Sequence, residues 1–419
     1  MTDSLMKNQL ESFVCCGTNV IYLKLIRNQH DLDESDEGEK KANDEFTFQP
    51  EFCHQLFGQS ENIFGYKNLR INLYYSASKL IRYMSVKYSE KVSMELSQGV
   101  PADDIYSIMS EALGGECLTN IDQFSSQLAS DHTFKPHGSQ MDCFNVQDKN
   151  PSNGMPRERC FEIYRCDMDV PGFESYHKNM QTFLTWFIDA ASYIDTDDRK
   201  WDYFVVYERC AEAQNGNSSP NQYVYYFIGY ATVYRYYAYP DKTRPRISQF
   251  LILPPFQRKG LGARLLRNIY NCYSPDCNIV EITVEDPSEE FSHLRDFVDC
   301  ELCMELKSFQ DSELKKGFSE EMVRETQAKY KLNRKQIRRV YEILKLRSVK
   351  KFDDEEMRSF RLEVKNRLHA PYLKMKRSPI TEGDTSLHSK ETRLQELNLL
   401  YNQLEEDYRQ TIEKLDSAK

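Results

Sequence analysis

The chain has 419 residues, long for one core, and 40% hydrophobic with 12% aromatic content is enough to fold two or three domains. A net charge of -10, from 65 acids against 55 bases, gives it no general attraction to nucleic acid and suits a basic partner such as a lysine-rich tail. No run of about 18 apolar residues occurs, and residues 1–16 lack a basic start followed by an apolar stretch, so a soluble intracellular protein with no membrane segment is expected. Twelve cysteines are scattered through this length without a secretory signal, which reads as free thiols and not as a disulfide framework.

Taken in order, the chain opens on a short helical start, and residues 19–27 alternate apolar and polar side chains as a strand does. Residues 30–45 are an acidic run with almost no apolar content, expected to be a mobile surface loop. Residues 46–64 are aromatic-rich and irregular; 69–74 and 83–88 read as strands, 101–113 and 120–128 as helices. A polar loop at 149–154 ends an N-terminal α+β domain expected over residues 1–150.

A second domain is expected over 151–310. It opens with a strand at 160–165 and a helix around 176–192, whose apolar side carries Phe183, Trp186, Phe187, Ala190 and Ala191. Strands at 203–208, 224–235 and 246–253 follow. Pro254 and Pro255 cannot donate ladder hydrogen bonds and stop the last of them. Gly260 and Gly262 then allow a sharp turn into a helix over 263–270, aiming several amide N–H groups at one point. A further strand at 278–284 ends in Glu285-Asp286-Pro287-Ser288, and a helix over 291–303 closes the unit. One crossover helix between two strands implies that they run parallel, so the expected fold class is α/β (α+β), a mixed sheet with helices.

From about residue 312 the chain is charged and helical, giving an expected helical domain over 311–376. Residues 320–330, 334–346 and 357–368 read as helices, and Asn333 with Gln336 fits a capping box. The basic Arg334, Lys335, Arg338 and Arg339 read as a solvated helix face. A linker is expected over 377–392, then a coiled-coil-like helix over 393–419. In that helix Leu394, Leu397, Tyr401, Leu404, Tyr408 and Leu415 form a heptad seam with Thr411 as the one polar position. Such a seam can bind a partner helix, pair with a second copy or fold back on its own domain. Cys300 and Cys303 form a lone C-x-x-C on a helix, no histidine spacing suits a metal, and none is expected.

The stretch from Arg246 to Ala263 offers two tools at once. The turn and helix start can hold a pyrophosphate on the amides of Gln257, Arg258, Lys259, Gly260, Leu261, Gly262 and Ala263, while the strand edge at Phe250, Leu251 and Ile252 can pair with an extended amide-bearing arm. Coenzyme A has both parts. A Walker Lys-Ser/Thr and a G-x-G-x-x-G are both missing here, which speaks against a nucleoside triphosphate or a dinucleotide.

The segment from Gln257 to Ala263 matches the Q/R-x-x-G-x-G/A signature of the GNAT acetyltransferases, which bind acetyl-CoA. Three further stretches narrow the resemblance: residues 239–246 (YPDKTRPR), Glu285 to Ser288 with Leu294 to Phe297, and Trp186 to Ile188 with Asp197, Asp198 and Trp201. Together they resemble the type B histone acetyltransferase catalytic subunits over roughly residues 46–368. That resemblance implies acetyl transfer to tail lysines of newly made histone H4, a WD-repeat histone chaperone as partner, and presence in nucleus and cytoplasm. It implies Glu285 as general base with Asp286 assisting, and a lysine amine must indeed lose a proton before it attacks a thioester. Asp189 stands where the family has a glutamate implicated as a second acid. For the tail it implies Trp201, Tyr234, Arg235 and Tyr236, plus an acidic stretch after Leu-Phe-Gly that here retains only Glu61. Cross-strand packing is an equal reading for Tyr234 and Tyr236. A GNAT enzyme for another protein or small-amine acceptor, and a non-catalytic histone-binding scaffold, are the alternatives.

Overall fold

The computed structural model describes residues 10–32, 45–114, 117–148, 157–211, 223–349, 353–376 and 390–417. Residues 33–44 of the acidic loop expected over 30–45, the 149–154 loop and most of the expected linker, 377–389, lie outside the described residues. Two compact units are present, one made of residues 1–235 and 247–268, the other of 236–246 and 269–419.

The strands that carry the site form a six-stranded sheet: β1 (Ser139–Asp148), β2 (Arg157–Cys166), β3 (Trp201–Ala211), β4 (Tyr223–Ala238), β5 (Lys242–Ile252) and β6 (Thr283–Val284), in the order β6-β5-β4-β3-β2-β1. Pairing is antiparallel between β1 and β2, β2 and β3, and β3 and β4. A parallel bridge joins Thr243 to Ile279, as the crossover reading requires. The middle of β3, Tyr203 to Tyr207, is fully buried, and a run of aromatic and β-branched side chains is what a strand covered on both faces needs. Burying each such side chain contributes about 1.5–3 kcal/mol. The strand β1 has no counterpart in the sequence reading: it is an edge strand of mixed polarity whose residues 139–147 are exposed or half-buried.

In the same unit a four-stranded sheet runs Thr47–Phe48, Ile21–Ile26, Arg70–Ser76, Arg82–Lys87, with its central pair parallel. A buried ion triad ties this sheet to the larger one. Arg159 on β2 grips Glu208 on β3 through two 2.7 Å bonds, and Arg27 reaches the same carboxylate at 2.5 Å. Burial alone would raise the Glu208 pKa, but the two guanidinium groups outweigh it and hold the carboxyl below its usual range.

Helix α1 (Phe173–Met180) leads through a 3-10 turn into a short helix that ends at Phe187. The single helix expected to reach residue 192 is therefore shorter. Ile188 is extended and Ala190 takes φ +55°, so Asp189 lies on a turn beyond the apolar helix, not on it.

The second unit is mostly helical. It contains the later part of α2 (Leu261–Tyr273), then α3 (Glu289–Met304), α4 (Arg334–Ser348), α5 (Asp354–Lys376) and α6 (Lys390–Ser417). Asn333 caps α4 by accepting the Gln336 N–H at 2.9 Å, as its spacing predicts. The strand expected over 278–284 shrinks to Thr283–Val284, because Asp276 accepts the Asn278 and Ile279 amides and makes a turn there.

Helix α6 resolves the heptad seam. It packs against α3, α4 and α5 of its own unit and buries Leu397, Tyr401, Tyr408, Thr411 and Leu415, while Leu394 is exposed. Glu342, fully buried on α4, fastens the assembly: Arg367 of α5 donates two bonds at 2.7 and 2.8 Å, Tyr408 of α6 donates at 2.9 Å and Arg338 at 3.1 Å. A carboxylate buried this deeply persists because every oxygen is matched by a charged or hydroxyl donor.

Candidate active site

Strand β5 stops at Ile252, and Pro254–Phe256 forms a single 3-10 turn, as the two prolines require. Arg258 (φ +61°) and Gly260 (φ +80°) then take left-handed conformations and reverse the chain into α2, which begins at Leu261, two residues earlier than expected. The Gln257 side chain donates to the Ile252 carbonyl at 2.9 Å and ties the turn back to the strand. The first-turn amides of α2 have no acceptor inside the helix, and the helix dipole adds partial positive charge at the same end. An anion is the natural occupant of such a turn. Lys259 adds a cation, 3.8 Å from Glu45.

The strand end beside this turn has a steric requirement. A Cβ on Gly229 of β4 would lie 2.3 Å from the Leu251 carbonyl oxygen and 2.8 Å from the Ile252 Cα, so only glycine lets β4 approach the end of β5 so closely. Phe250, Leu251 and Ile252 thus sit directly before the turn in one unit with Gln257 to Ala263.

Residues that sequence reading missed hold this turn in place. Arg264 and Asn268, one helical turn apart on α2, converge on Asp142 of β1. The Arg264 hydrogen bond holds the Asp142 carboxyl below its usual pKa. The i, i+4 spacing of Arg264 and Asn268 was visible, but nothing in the sequence pairs them with residue 142. Phe256 is buried under the proline turn, stacked at 5.9 Å on Phe46 and 5.2 Å from the Arg159 guanidinium.

On the acceptor side, Trp201 and Tyr234 are direct cross-strand partners with an edge-to-face ring contact at 4.8 Å. Cross-strand packing is therefore one thing Tyr234 does. Arg235 donates to the Arg199 carbonyl at 2.6 Å and lies 3.4 Å from the buried Asp202 carboxylate, which gives it a structural anchor. Glu61 and Asp189, far apart in sequence, meet at His54, with His54 Nδ1 3.7 Å from Glu61 and Nε2 3.0 Å from Asp189. The sequence reading did not single out His54.

Tyr236, Glu285 and Asp286 belong to the other unit. Tyr236 lies under the Arg246 guanidinium at 4.5 Å. Glu285 and Asp286 are exposed directly after β6, Asp286 with φ +29°, and Ser288 caps α3 by accepting the Phe291 N–H at 3.2 Å. The strand is fixed from two sides: the Ile282 amide donates to the Lys331 carbonyl at 2.7 Å, and the Thr283 hydroxyl to the Pro245 carbonyl at 3.3 Å. With no metal expected, one grouping still merits mention: Glu289 and His293 on α3 and Asp407 on α6 bring possible ligand atoms within 4.8 Å of one another. Arg339 lies 3.8 Å from Asp407, and its charge opposes a cation there.

Residues 13–189 match the family model described as histone acetyl transferase HAT1 N-terminus, and residues 295–346 match that of the histone acetyltransferase type B catalytic subunit, C-terminal. The histone acetyltransferase type B catalytic subunit of Homo sapiens is 41% identical over 98% of this chain and 96% of its own length. The Rattus norvegicus protein of the same name is 40% identical over the same shares, and one from Cryptococcus neoformans is 30% identical over 87% of this chain and 91% of its own. The chain belongs to the type B histone acetyltransferase catalytic subunit family. As a type B histone acetyltransferase it is an acetyltransferase enzyme acting on histones, with the mixed α/β architecture expected from its sequence. Acetyl-CoA use follows from the family's reaction. The residues from Trp201 to Asp286 fall between the two matched segments of this type B enzyme.

Proposed function

We propose that this enzyme moves the acetyl group of acetyl-CoA to the side-chain amine of tail lysines on newly synthesised histone H4, by direct attack in a ternary complex. The observation that carries the reading is the continuity of the strand end Phe250 to Ile252 with the left-handed turn and helix start Gln257 to Ala263. A strand end whose backbone can meet a pantetheine amide, followed at once by a turn into a helix N-terminus that favours an anion, fits an acyl-CoA better than a nucleotide alone. Backbone N–H groups near Leu251 and Ile252 would polarise the thioester carbonyl.

Glu285 is assigned the general base, with Asp286 beside it. It removes a proton from the lysine ammonium, the free amine then attacks the thioester carbonyl, and as the C–S bond breaks the second proton released from the nitrogen passes to the departing thiolate, giving the neutral amide and CoA thiol. Asp189 is the second acid on the acceptor side, and Glu61, Trp201, Tyr234, Arg235 and Tyr236 receive the tail. An acyl-enzyme on any of six of the cysteines is disfavoured by the state of the thiol. Burial pushes Cys53 up to about 12 and Cys117 and Cys160 up to about 11, and it raises Cys166, Cys300 and Cys303 as well, so these thiols stay protonated at neutral pH. A WD-repeat histone chaperone subunit completes the enzyme, which works in nucleus and cytoplasm without contacting nucleic acid or membrane directly.

The competing acceptor is a protein N-terminus or a small amine. Steady-state assays with acetyl-CoA should give a kcat/KM for an internal-lysine H4 tail peptide well above that for a peptide offering only its α-amine. A preference for the α-amine would overturn the histone-lysine reading.

A further inference from the structure

His54 stands between two carboxylates that lie far apart in the sequence, and each part of the arrangement is held from outside it. Glu61 Oε1 accepts the backbone N–H groups of Cys53 and His54 at 2.6 and 3.0 Å, which fixes that carboxylate to the turn carrying the histidine. The Glu51 N–H donates to the Trp186 carbonyl at 3.1 Å, fastening the segment before His54 to the helix before Asp189. Glu61 (φ +54°) and Ala190 (φ +55°), the residue after Asp189, are both non-glycine residues in the left-handed region. The chain thus accepts an unfavourable backbone at one carboxylate and directly after the other.

We propose that His54 is a positioning residue for the acceptor: it holds the Asp189 carboxylate through an Nε2–H donor and keeps it at a fixed separation from Glu61 when a cationic tail binds. The inference rests on the reading above that these two acids serve the acceptor. Stability is a poor explanation for the contact. The Asp189 side chain is 72% exposed, and an ion pair so open to water adds little to folding.

The test uses the full chain with acetyl-CoA and an H4 tail peptide. His54→Ala should lower kcat/KM for the peptide about fivefold or more, the scale of losing one hydrogen bond to a charged group. The KM for acetyl-CoA and the melting temperature should stay where they are. His54→Gln places an amide N–H near the position of Nε2 and should recover activity to within about twofold of wild type. In the background of Asp189→Asn, His54→Ala should add no further loss. The proposal is overturned if His54→Ala matches wild type, if His54→Gln is as poor as His54→Ala, or if acetyl-CoA affinity and melting temperature fall in step with peptide use. Asp189→Asn and Glu61→Gln alone separate the two levels. If neither changes peptide kinetics, the acceptor-side assignment fails and takes His54 with it; if they do and His54→Ala does not, only the role of His54 fails.

Discussion

Arg264, in the first turns of α2, forms a two-pronged ion pair with Asp142 on the edge strand β1, Nε to Oδ2 at 2.5 Å and Nη2 to Oδ1 at 2.9 Å. The helix that begins at the glycine turn is thereby anchored to the far edge of the sheet, and the amides of its first turn keep their aim.

That anchor should be felt in donor binding. Asp142→Ala removes a partly exposed pair of about 1 kcal/mol and should raise the Kd for acetyl-CoA roughly fivefold, with turnover at saturation changed much less. Isothermal titration checks it, and an unchanged Kd would mean that the turn keeps its shape without β1.

Glu342 should behave as a keystone of the helical unit. Glu342→Ala leaves Arg367, Arg338 and the Tyr408 hydroxyl facing an empty buried site, and removing one partner of such a cluster costs about 3–5 kcal/mol. Chemical denaturation followed by circular dichroism should show that loss. A change below about 1 kcal/mol would mean that the three donors find water instead.

Acid should weaken the fold through His177. The ring is fully buried, edge-on to Tyr203 at 4.8 Å, and burial depresses its pKa to about 4. In the unfolded chain a histidine takes its proton near about 6.5. Falling pH therefore protonates the unfolded form first, so the stability is complete above about 6.5 and is lost progressively towards about 4, to a total of about 3 kcal/mol. His177→Phe, in a pocket already lined by Phe173 and Tyr203, should flatten that slope; a variant as acid-sensitive as wild type would remove His177 from the account.

How far the fold could be read in advance depended on the kind of signal. The turn after β5 was legible in part because prolines and glycines act locally: two missing N–H donors end the strand and Gly260 turns the chain, but Gly262 lies inside α2 and the second left-handed residue is Arg258, which no glycine marks. Asn333 was legible for the same reason, a cap being a three-residue affair. Asp142, His54 and Glu342 were not, since each owes its role to partners more than fifty residues away or to a neighbouring helix. The heptad on α6 was visible as a seam but not as to what covers it, because Leu397 and Tyr408 carry the same pattern whether they meet a second chain or their own α3, α4 and α5. Asp189 illustrates the opposite error. The apolar period carried the helix to residue 192, whereas the backbone leaves it after Phe187.

The central claim is that an exposed strand-end carboxylate, Glu285, accepts the lysine proton. Turnover of an H4 tail peptide by Glu285→Gln at neutral pH, alongside acetyl-CoA binding by the same protein, tests it most directly. Donor affinity should stay within about twofold of wild type while turnover falls by roughly a hundredfold or more. Turnover equal to wild type would contradict it.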